Sequence, residues 1–209
     1  MRDYIRDPRE IIRRSFEIVA AETDLSALPA DISAVAERIV HACGMPDIVA
    51  DLAFSRGAGE AGRKALAAGA PIICDVAMAA AGLMNDRLVA GNTIHIAIDR
   101  PGAEELAVSS GQTRTAAGMQ LLAAHYEGAI VVIGNAPTAL FRLLEFVEVG
   151  ASKPALVLGF PVGFVGAAES KAALAENTFD LPFITLHGRR GGSAIAAAAL
   201  NALILGEEQ

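Results

Sequence analysis

The chain has 209 residues, of which 53% are hydrophobic and 20% are charged, and its formal net charge is −7. A chain of this length can bury a sizeable core, and the composition excludes a disordered protein. The acidic balance offers nucleic acid no general attraction, so we expect no nucleic-acid partner, and any anionic ligand has to be held by local donors.

The cysteines and the first residues indicate an intracellular protein. Cys43 and Cys74 form no CxxC pair, which fits a reducing compartment without a disulfide framework. The opening residues MRDYIRDPRE contain no apolar run of the kind that a secretion signal needs. The most apolar segment, 191–206, carries Ser193 and Asn201 and is too short for a membrane span. We therefore expect a cytoplasmic protein without membrane association.

Two helices are predicted in the first fifth of the chain. The first covers 7–21, with Asp7 as the N-terminal cap and Pro8 at the first helical position. The second runs from Asp31 to about Cys43, and Gly44 is a suitable C-terminal stop.

From residue 59 onward, short apolar strands alternate with helices. The predicted strands are 71–75, 93–98, 129–133, 155–159 and 183–187. The predicted helices are 59–68, 76–84, 102–109, 113–126, 137–149, 167–176 and 192–204. This alternation predicts a three-layer α/β fold, in which helices cover both faces of a mainly parallel sheet. No linker separates a second domain, so we expect one domain over residues 1–209, although the strand order is not readable.

Three of the later strands end in glycine-rich turns, within the segments 133–137 (IGNAP), 158–171 and 186–194. Parallel sheets bind ligands beyond the carboxyl ends of their strands, and helix N-termini present free N–H groups to anions. We interpret the IGNAP turn as a place where a carboxylate of the ligand is held. For each turn alone, including Asn135, the alternative is that the turn simply needs such residues.

The second helix carries a histidine on an unusual side. Ile32, Val35 and Ile39 share one face at helical spacing, and His41 points almost directly away from it. His41 is either an exposed residue favoured by the helix dipole or a group that transfers protons near neutral pH. Ser15 shows the reverse placement, within the apolar side of its helix, as a small packing residue or as a ligand contact.

Arg114 lies in the first turn of a predicted helix, where the helix dipole disfavours a cation. Its position indicates either an anionic partner or a solvated side chain. No two of the four histidines have metal-ligand spacing and no cysteine pair joins them, so we predict no protein-bound metal. No GxSxG motif is present to indicate a serine nucleophile.

One motif favours a different class of enzyme. Residues 57–62, GAGEAG, match GxGxxG, and Asp75 follows at a strand end, which is the outline of a dinucleotide site. The preceding segment, IVADLAFSR, is a poor buried strand because Asp51 and Arg56 interrupt it. An NAD(P)-dependent oxidoreductase therefore stays an alternative.

Long motifs over nearly the whole chain resemble the precorrin-8X methylmutase family. They are YIRDPREIIRRSF at 4–16, RIVHACG at 38–44, GAPIICDVAM at 69–78, GQTRTAAG at 111–118, IGNAPTALFRLLE at 133–145, GFPVGFVGAAESK at 159–171 and GRRGGSA at 188–194. The resemblance implies an α/β homodimer that acts in cobalamin (vitamin B12) biosynthesis. The implied reaction is an isomerisation of precorrin-8X to hydrogenobyrinate by a 1,5-sigmatropic methyl shift from C-11 to C-12.

The resemblance also implies roles for individual residues. His41 matches the family's catalytic histidine, a proton donor and acceptor, and Ser15, Arg114, Asn135 and Arg189 match substrate-binding positions. No cofactor is implied. The substrate is a tetrapyrrole with acetate and propionate arms, which glycine turns and arginines can bind. A non-catalytic corrinoid carrier shares these binding features, and it stays open whether the macrocycle contains cobalt and whether a second subunit closes the pocket. Arg190 is interpreted as a local variation.

Overall fold

The computed structural model describes Arg2 and residues 4–206, and this part of the chain forms nine α-helices and six β-strands. The helices are α1 (Pro8–Glu22), α2 (Ala30–Cys43), α3 (Ala58–Ala67), α4 (Ala77–Ala81), α5 (Ala103–Ser110), α6 (Arg114–Leu121), α7 (Pro137–Glu148), α8 (Ala167–Ala175) and α9 (Ser193–Leu205). The strands are β1 (Leu52–Phe54), β2 (Ile72–Cys74), β3 (Ile94–Ile96), β4 (Ile130–Ile133), β5 (Leu156–Gly159) and β6 (Phe183–Leu186). Short 3-10 helices cover Pro46–Asp51, Asn85–Arg87 and Ala123–His125.

The six strands form one sheet in the order β1-β6-β5-β4-β2-β3. Strands β2 to β6 are parallel, and only β1 runs antiparallel, with Leu52 opposite Leu186. The central strands β2, β4, β5 and β6 are buried along their whole length, as continuous apolar runs in parallel sheets require. The predicted α/β fold with a mainly parallel sheet is confirmed.

Helices cover both faces of this sheet, because alternate strand residues point to opposite sides. Ile72 and Cys74 of β2 join a core built with α2, α3, α4 and α9. Ile73, between them, joins a second core built with α6, α7 and α8. The three predicted layers are therefore present.

The helix ends next to the candidate site follow the predicted local signals. The Asp7 carboxylate accepts a hydrogen bond from the Glu10 N–H at 2.9 Å, and Pro8 is the first residue of α1. Gly44 ends α2 in the left-handed conformation (φ 67°), and its N–H donates to the Val40 carbonyl at 2.8 Å. Both signals fix where the chain enters and leaves the α1–α2 pair.

The segment IVADLAFSR contains β1, which was absent from the predicted strands, although the segment is not a buried strand, as expected. Strand β1 has three residues, lies at the sheet edge and is only half-buried. Asp51 and Arg56 lie outside it, so the strand itself contains no charged residue. The predicted helix 113–126 is also shorter, since α6 ends at Leu121 and a 3-10 helix follows.

The apolar C-terminal segment is part of the core. Ten of the 13 residues of α9 are buried, and the helix packs along α2. Within residues 4–206, no helix combines the length and the apolarity needed to cross a membrane.

Candidate active site

His41 lies in the last turn of α2, at the carboxyl edge of the sheet. The buried face of α2 is formed by Ile32, Val35, Ala36, Ile39 and Val40, and His41 is exposed on the other side. The chain then passes through the 3-10 helix Pro46–Asp51 into β1, whose first residue pairs with the carboxyl end of β6. The predicted placement of His41 away from the apolar face is therefore confirmed, and it lies where parallel sheets bind ligands.

The imidazole of His41 is held by an aromatic neighbour on α1. The ring of Phe16 stacks on it with centroids 4.8 Å apart and an interplanar angle of 12°. The guanidinium carbon of Arg38, one turn earlier on α2, lies 5.6 Å from the centroid of Phe16. Stacking of this kind limits the rotation of a side chain that is otherwise exposed.

Two grooves adjoin His41. One, of about 300 Å³, lies between α1 and the end of α2 and is lined by Ser15, Val19 and Pro46 as well as His41. The other, of about 250 Å³, lies between α2 and α9 and includes Arg38, Ala197 and Asn201. The structure thus brings His41 and half-buried Ser15 together. An imidazole in this position can exchange a proton with a ligand that covers both grooves.

Arg114 lies in the other helical layer and does not line these grooves. It is the first residue of α6, as predicted, and Thr113 caps the helix. Its half-exposed guanidinium is 3.9 Å from Asp99 and 3.8 Å from Glu104. These two carboxylates supply part of the negative charge that the sequence predicts beside Arg114. Because the ion pairs are long and exposed, the side chain stays accessible.

The turn between β4 and α7 already holds a carboxylate, but it is one from the protein itself. Asp75, at the end of β2, accepts hydrogen bonds from the N–H groups of Gly134 at 3.0 Å, Asn135 at 2.8 Å and Ala136 at 2.8 Å. It also accepts one from Val76 at 3.0 Å. The expectation that these donors hold a ligand carboxylate is therefore wrong.

Asp75 is fully buried, and two features of its environment act on the pKa of its carboxyl group in opposite directions. Burial raises the pKa of its carboxyl group, and the four backbone hydrogen bonds oppose that rise. Asn135 keeps an exposed side chain at this edge, so only its amide group, and not its backbone N–H, is free for a ligand.

The turn between β6 and α9 has two adjacent arginines with different environments. Arg189 is exposed, and its guanidinium lies 5.4 Å from the centroid of Phe164, an exposed residue of the β5–α8 loop. Arg190 donates to Asp51 at 3.1 Å and to Asp47 at 2.7 Å, which ties the turn to the 3-10 helix that follows His41. Arg190 therefore connects this turn to the 3-10 helix, and its interpretation as a local variation of the family motif stays a prediction.

Lys171 supports the same turn from inside the protein. It is fully buried in α8, and its ammonium group donates to the backbone carbonyl of Arg190. Burial lowers the pKa of Lys171 to about 8, against an opposing contribution from the Asp51 carboxylate. Sequence reasoning missed Lys171 because the residues it contacts are distant in the chain.

Two further neighbours of His41, Arg38 and Phe16, were also missed. Arg38 lies three residues before His41, so helical spacing alone places both on one side of α2. Phe16 follows Ser15 directly, but its contact with His41 depends on how α1 crosses α2, which no local pattern reveals.

The glycines of GAGEAG serve helix packing. Gly57 caps α3 in the left-handed conformation (φ 73°). A side chain on Gly59 would meet Asp31 at 2.8 Å, and one on Gly62 would meet Leu156 at 2.6 Å. The preceding strand β1 is an antiparallel edge strand, and the buried Asp75 carboxylate is hydrogen-bonded to the β4–α7 turn. The dinucleotide interpretation therefore loses both its strand context and its acidic residue.

Among the residues that the structure describes, no group of three or more His, Cys, Asp or Glu side chains could hold a metal ion. His95 and His125 stack on each other with centroids 4.8 Å apart, and His95 contacts Thr93 at 3.3 Å. Burial lowers the pKa of His95, with smaller contributions in the same direction from His125 and Arg100. The pair is a packing arrangement at the sheet edge.

Comparisons with known proteins agree with the motifs. The family model for precorrin-8X methylmutase matches residues 10–205. A precorrin-8X methylmutase of Pseudomonas aeruginosa is 54% identical over 203 residues, which cover 97% of this chain and 98% of the relative. A cobalt-precorrin-8 methylmutase of Priestia megaterium is 36% identical over 94% of this chain and 87% of its own length. The crystal structure of a precorrin-8X methylmutase from Thermus thermophilus superposes with a TM-score of 0.85 at 41% identity, covering 94% of each chain.

Proposed function

The chain belongs to the precorrin-8X methylmutase family, and from this premise we propose that it moves a methyl group from C-11 to C-12 of precorrin-8X by a 1,5-sigmatropic shift. The product is hydrogenobyrinate, and His41 is the proton donor and acceptor. The activity class itself, an isomerase of cobalamin biosynthesis, follows from the family.

The observation that carries this proposal is the environment of His41. Its imidazole is exposed at the carboxyl edge of the sheet, is stacked on Phe16 at 4.8 Å, and shares a groove with Ser15. A proton-transfer group needs this combination of a fixed ring and an accessible nitrogen.

The reaction requires few protein groups beyond the one that donates and accepts a proton. The bond from the methyl carbon to C-11 breaks and the bond to C-12 forms, so no atom is gained or lost. Protonation of a ring nitrogen by His41 raises the electron demand at the receiving carbon, and the proton returns to His41 afterwards. General acid catalysis of this kind contributes about 10²–10⁴-fold. The remaining acceleration comes from holding the macrocycle in a reactive conformation.

The other proposed site residues bind the periphery of the substrate. Ser15 contacts the ring edge beside His41, whereas Arg114 and Arg189 bind carboxylate arms. Asn135 contributes its exposed side-chain amide, since its backbone N–H is bonded to Asp75. These residues are distributed around the carboxyl edge, which suits a wide substrate with several acidic arms.

We also propose that the natural macrocycle is metal-free. Two relatives that are called precorrin-8X methylmutase, from Pseudomonas aeruginosa and Sinorhizobium sp., are 54% and 51% identical to this chain. Relatives that are called cobalt-precorrin-8 methylmutase, from Priestia megaterium and Salmonella typhimurium, are 36% and 39% identical. Parallel assays with precorrin-8X and cobalt-precorrin-8 test this, and faster conversion of the cobalt form would contradict it.

The protein is proposed to act as a cytoplasmic homodimer. Ile11, Ile12 and Ile18 expose 44%, 54% and 44% of their surface along α1, which suits a second subunit. Ile12 and Ile18 also line the grooves between α1 and α2, so a subunit packed on α1 would close these grooves over the substrate. Sedimentation equilibrium measures the assembly directly, and a monomer at micromolar concentration would contradict this part of the proposal.

The test of the catalytic role is conversion followed by absorption spectroscopy. Precorrin-8X incubated with the protein changes to the spectrum of hydrogenobyrinate, and His41→Ala slows this change at least about 100-fold. The variant still binds hydrogenobyrinate, because only the proton-transfer group is lost. An unchanged rate in His41→Ala contradicts the assigned role, and binding without conversion by the unmodified protein indicates a carrier.

A further inference from the structure

Arg38 lines two grooves, one of which it shares with His41. It lines the groove of about 250 Å³ that His41 shares with α9, and also a larger groove of about 740 Å³ between α1 and α2. The larger groove combines apolar side chains, Ile12, Phe16 and Ala20, with charged ones at its border. It therefore suits a ligand arm with a methylene stem and a charged end.

The guanidinium of Arg38 lies over the ring of Phe16, and its polar contacts within the protein are incomplete. Its Nε is buried and has no hydrogen-bond partner. Within the described part of the chain, no carboxylate oxygen lies within 4.0 Å of it. Burial lowers the pKa of Arg38, and the Glu37 carboxylate opposes this from a greater distance. A half-buried guanidinium that forms no ion pair within the protein is able to bind an anionic group of a ligand.

Arg13 lines the same groove but, unlike Arg38, is ion-paired within the protein. Arg13 donates to Glu10 at 2.8 Å and is paired with Glu17 as well. The charge of Arg13 is therefore balanced by carboxylates of α1 itself. Glu37 and Arg9 complete the charged border of the groove, so Arg38 is its most deeply placed cation that has no ion pair.

From these observations we propose that Arg38 binds a carboxylate of one acidic arm of the substrate in the groove between α1 and α2. This deepens the proposed function, on which it rests. Residues three apart on a helix have Cβ atoms roughly 5–6 Å from each other. An arm held at Arg38 thus brings the edge of the macrocycle to His41, and Arg38 acts as an anchor that fixes the ring nitrogen relative to the imidazole.

The test compares Arg38→Met with Arg63→Met. Arg63 is a half-buried helical arginine that lines a separate groove with Leu66 and Leu203, away from His41. Titration with hydrogenobyrinate should show an affinity about 10–100-fold weaker for Arg38→Met, as for a charge-assisted pair that is lost. Arg63→Met should bind within about 2-fold of the unmodified protein.

Salt dependence and a conservative variant separate binding from a structural role. Added salt should weaken hydrogenobyrinate binding by the unmodified protein more than by Arg38→Met, since the variant has one ionic contact fewer. Arg38→Lys should recover part of the affinity, because it keeps the charge without the planar fork.

Two results would overturn the proposal. One is binding by Arg38→Met within 2-fold of the unmodified protein, and the other is weaker binding with an unchanged salt dependence. If the unmodified protein neither binds nor converts precorrin-8X, the proposed function fails instead. Conversion by the unmodified protein with unaltered binding by Arg38→Met refutes the role of Arg38 alone.

Discussion

The turn after β4 and the end of α2 both lie at the carboxyl edge of the sheet, but their polar groups differ. Those of the turn are hydrogen-bonded within the protein, whereas some at the end of α2 have no partner among the described residues. In the turn, one buried carboxylate, Asp75, accepts four backbone hydrogen bonds. At the end of α2, His41 is exposed, and the Nε of Arg38 is buried without a partner. An anion-binding turn is structural when the chain itself supplies the anion. Groups left unsatisfied beside an exposed imidazole indicate where a ligand belongs.

Removing the internal anion should have the largest effect. Asp75→Ala leaves four backbone N–H groups, three of them on buried residues, without their acceptor, so we expect a loss of about 3–5 kcal/mol in the free energy of unfolding. Urea denaturation measures it, and Asp86→Ala, at an exposed position of a 3-10 helix, is the control. A loss below about 1 kcal/mol would mean that water replaces the carboxylate and that the turn is not committed to Asp75.

Lys171 offers a pH test of another turn that is hydrogen-bonded within the protein, the one between β6 and α9. Its pKa is about 8 in the folded protein against 10.5 for the ordinary group, so the folded state binds fewer protons between these values. Stability therefore rises with pH from about 8 to 10.5, by about 1–3 kcal/mol relative to Lys171→Met. Below pH 8 the cost of the buried charge is fully present.

The check is urea denaturation of both proteins across this pH range. Lys64→Met, which removes an exposed lysine of α3, is the control for the loss of a lysine charge. A stability difference between the unmodified protein and Lys171→Met that stays flat from pH 8 to 10.5 would contradict the lowered pKa.

The adjacent arginines of the β6–α9 turn should separate structure from binding. Arg190 connects Asp47 and Asp51 to the turn, so Arg190→Met should cost roughly 1 kcal/mol of unfolding free energy. Arg189→Met should stay within about 0.5 kcal/mol and should weaken hydrogenobyrinate binding instead. Thermal denaturation and ligand titration of the two variants test this division, and the reverse pattern would exchange their roles.

The smallest expected effect concerns the ring that holds His41. Phe16→Leu removes a stacking interaction worth about 0.5–1.5 kcal/mol, which corresponds to a turnover roughly 2–10-fold slower. Phe16→Tyr keeps the ring and should retain the rate. Phe146→Leu, at a half-buried aromatic residue of α7 in the other layer, is the control. Equal rates in Phe16→Leu and Phe16→Tyr would show that stacking does not orient the imidazole.

Local patterns predicted most of the fold, because caps and periodicity act over a few residues. The cap at Asp7 and the stop at Gly44 lie where they were expected. Strand β1 was missed, since three half-buried residues carry too little apolar signal. Its pairing with β6 joins segments more than 100 residues apart in the chain, which periodicity cannot express.

The site was predictable only in part, for the same physical reason. The position of His41 away from the apolar face of α2 follows from helical geometry, and the structure agrees. The carboxylate that fills the IGNAP turn comes from Asp75, 59 to 61 residues earlier in the chain. A pattern that identifies donors does not reveal that the chain already supplies their acceptor.

The most direct test of the central claim is a crystal structure of the protein with hydrogenobyrinate bound. We predict that a ring nitrogen lies about 2.6–3.2 Å from an imidazole nitrogen of His41, and that a carboxylate arm contacts Arg38. A macrocycle bound elsewhere, with His41 beyond hydrogen-bond reach of the ring, would contradict this account.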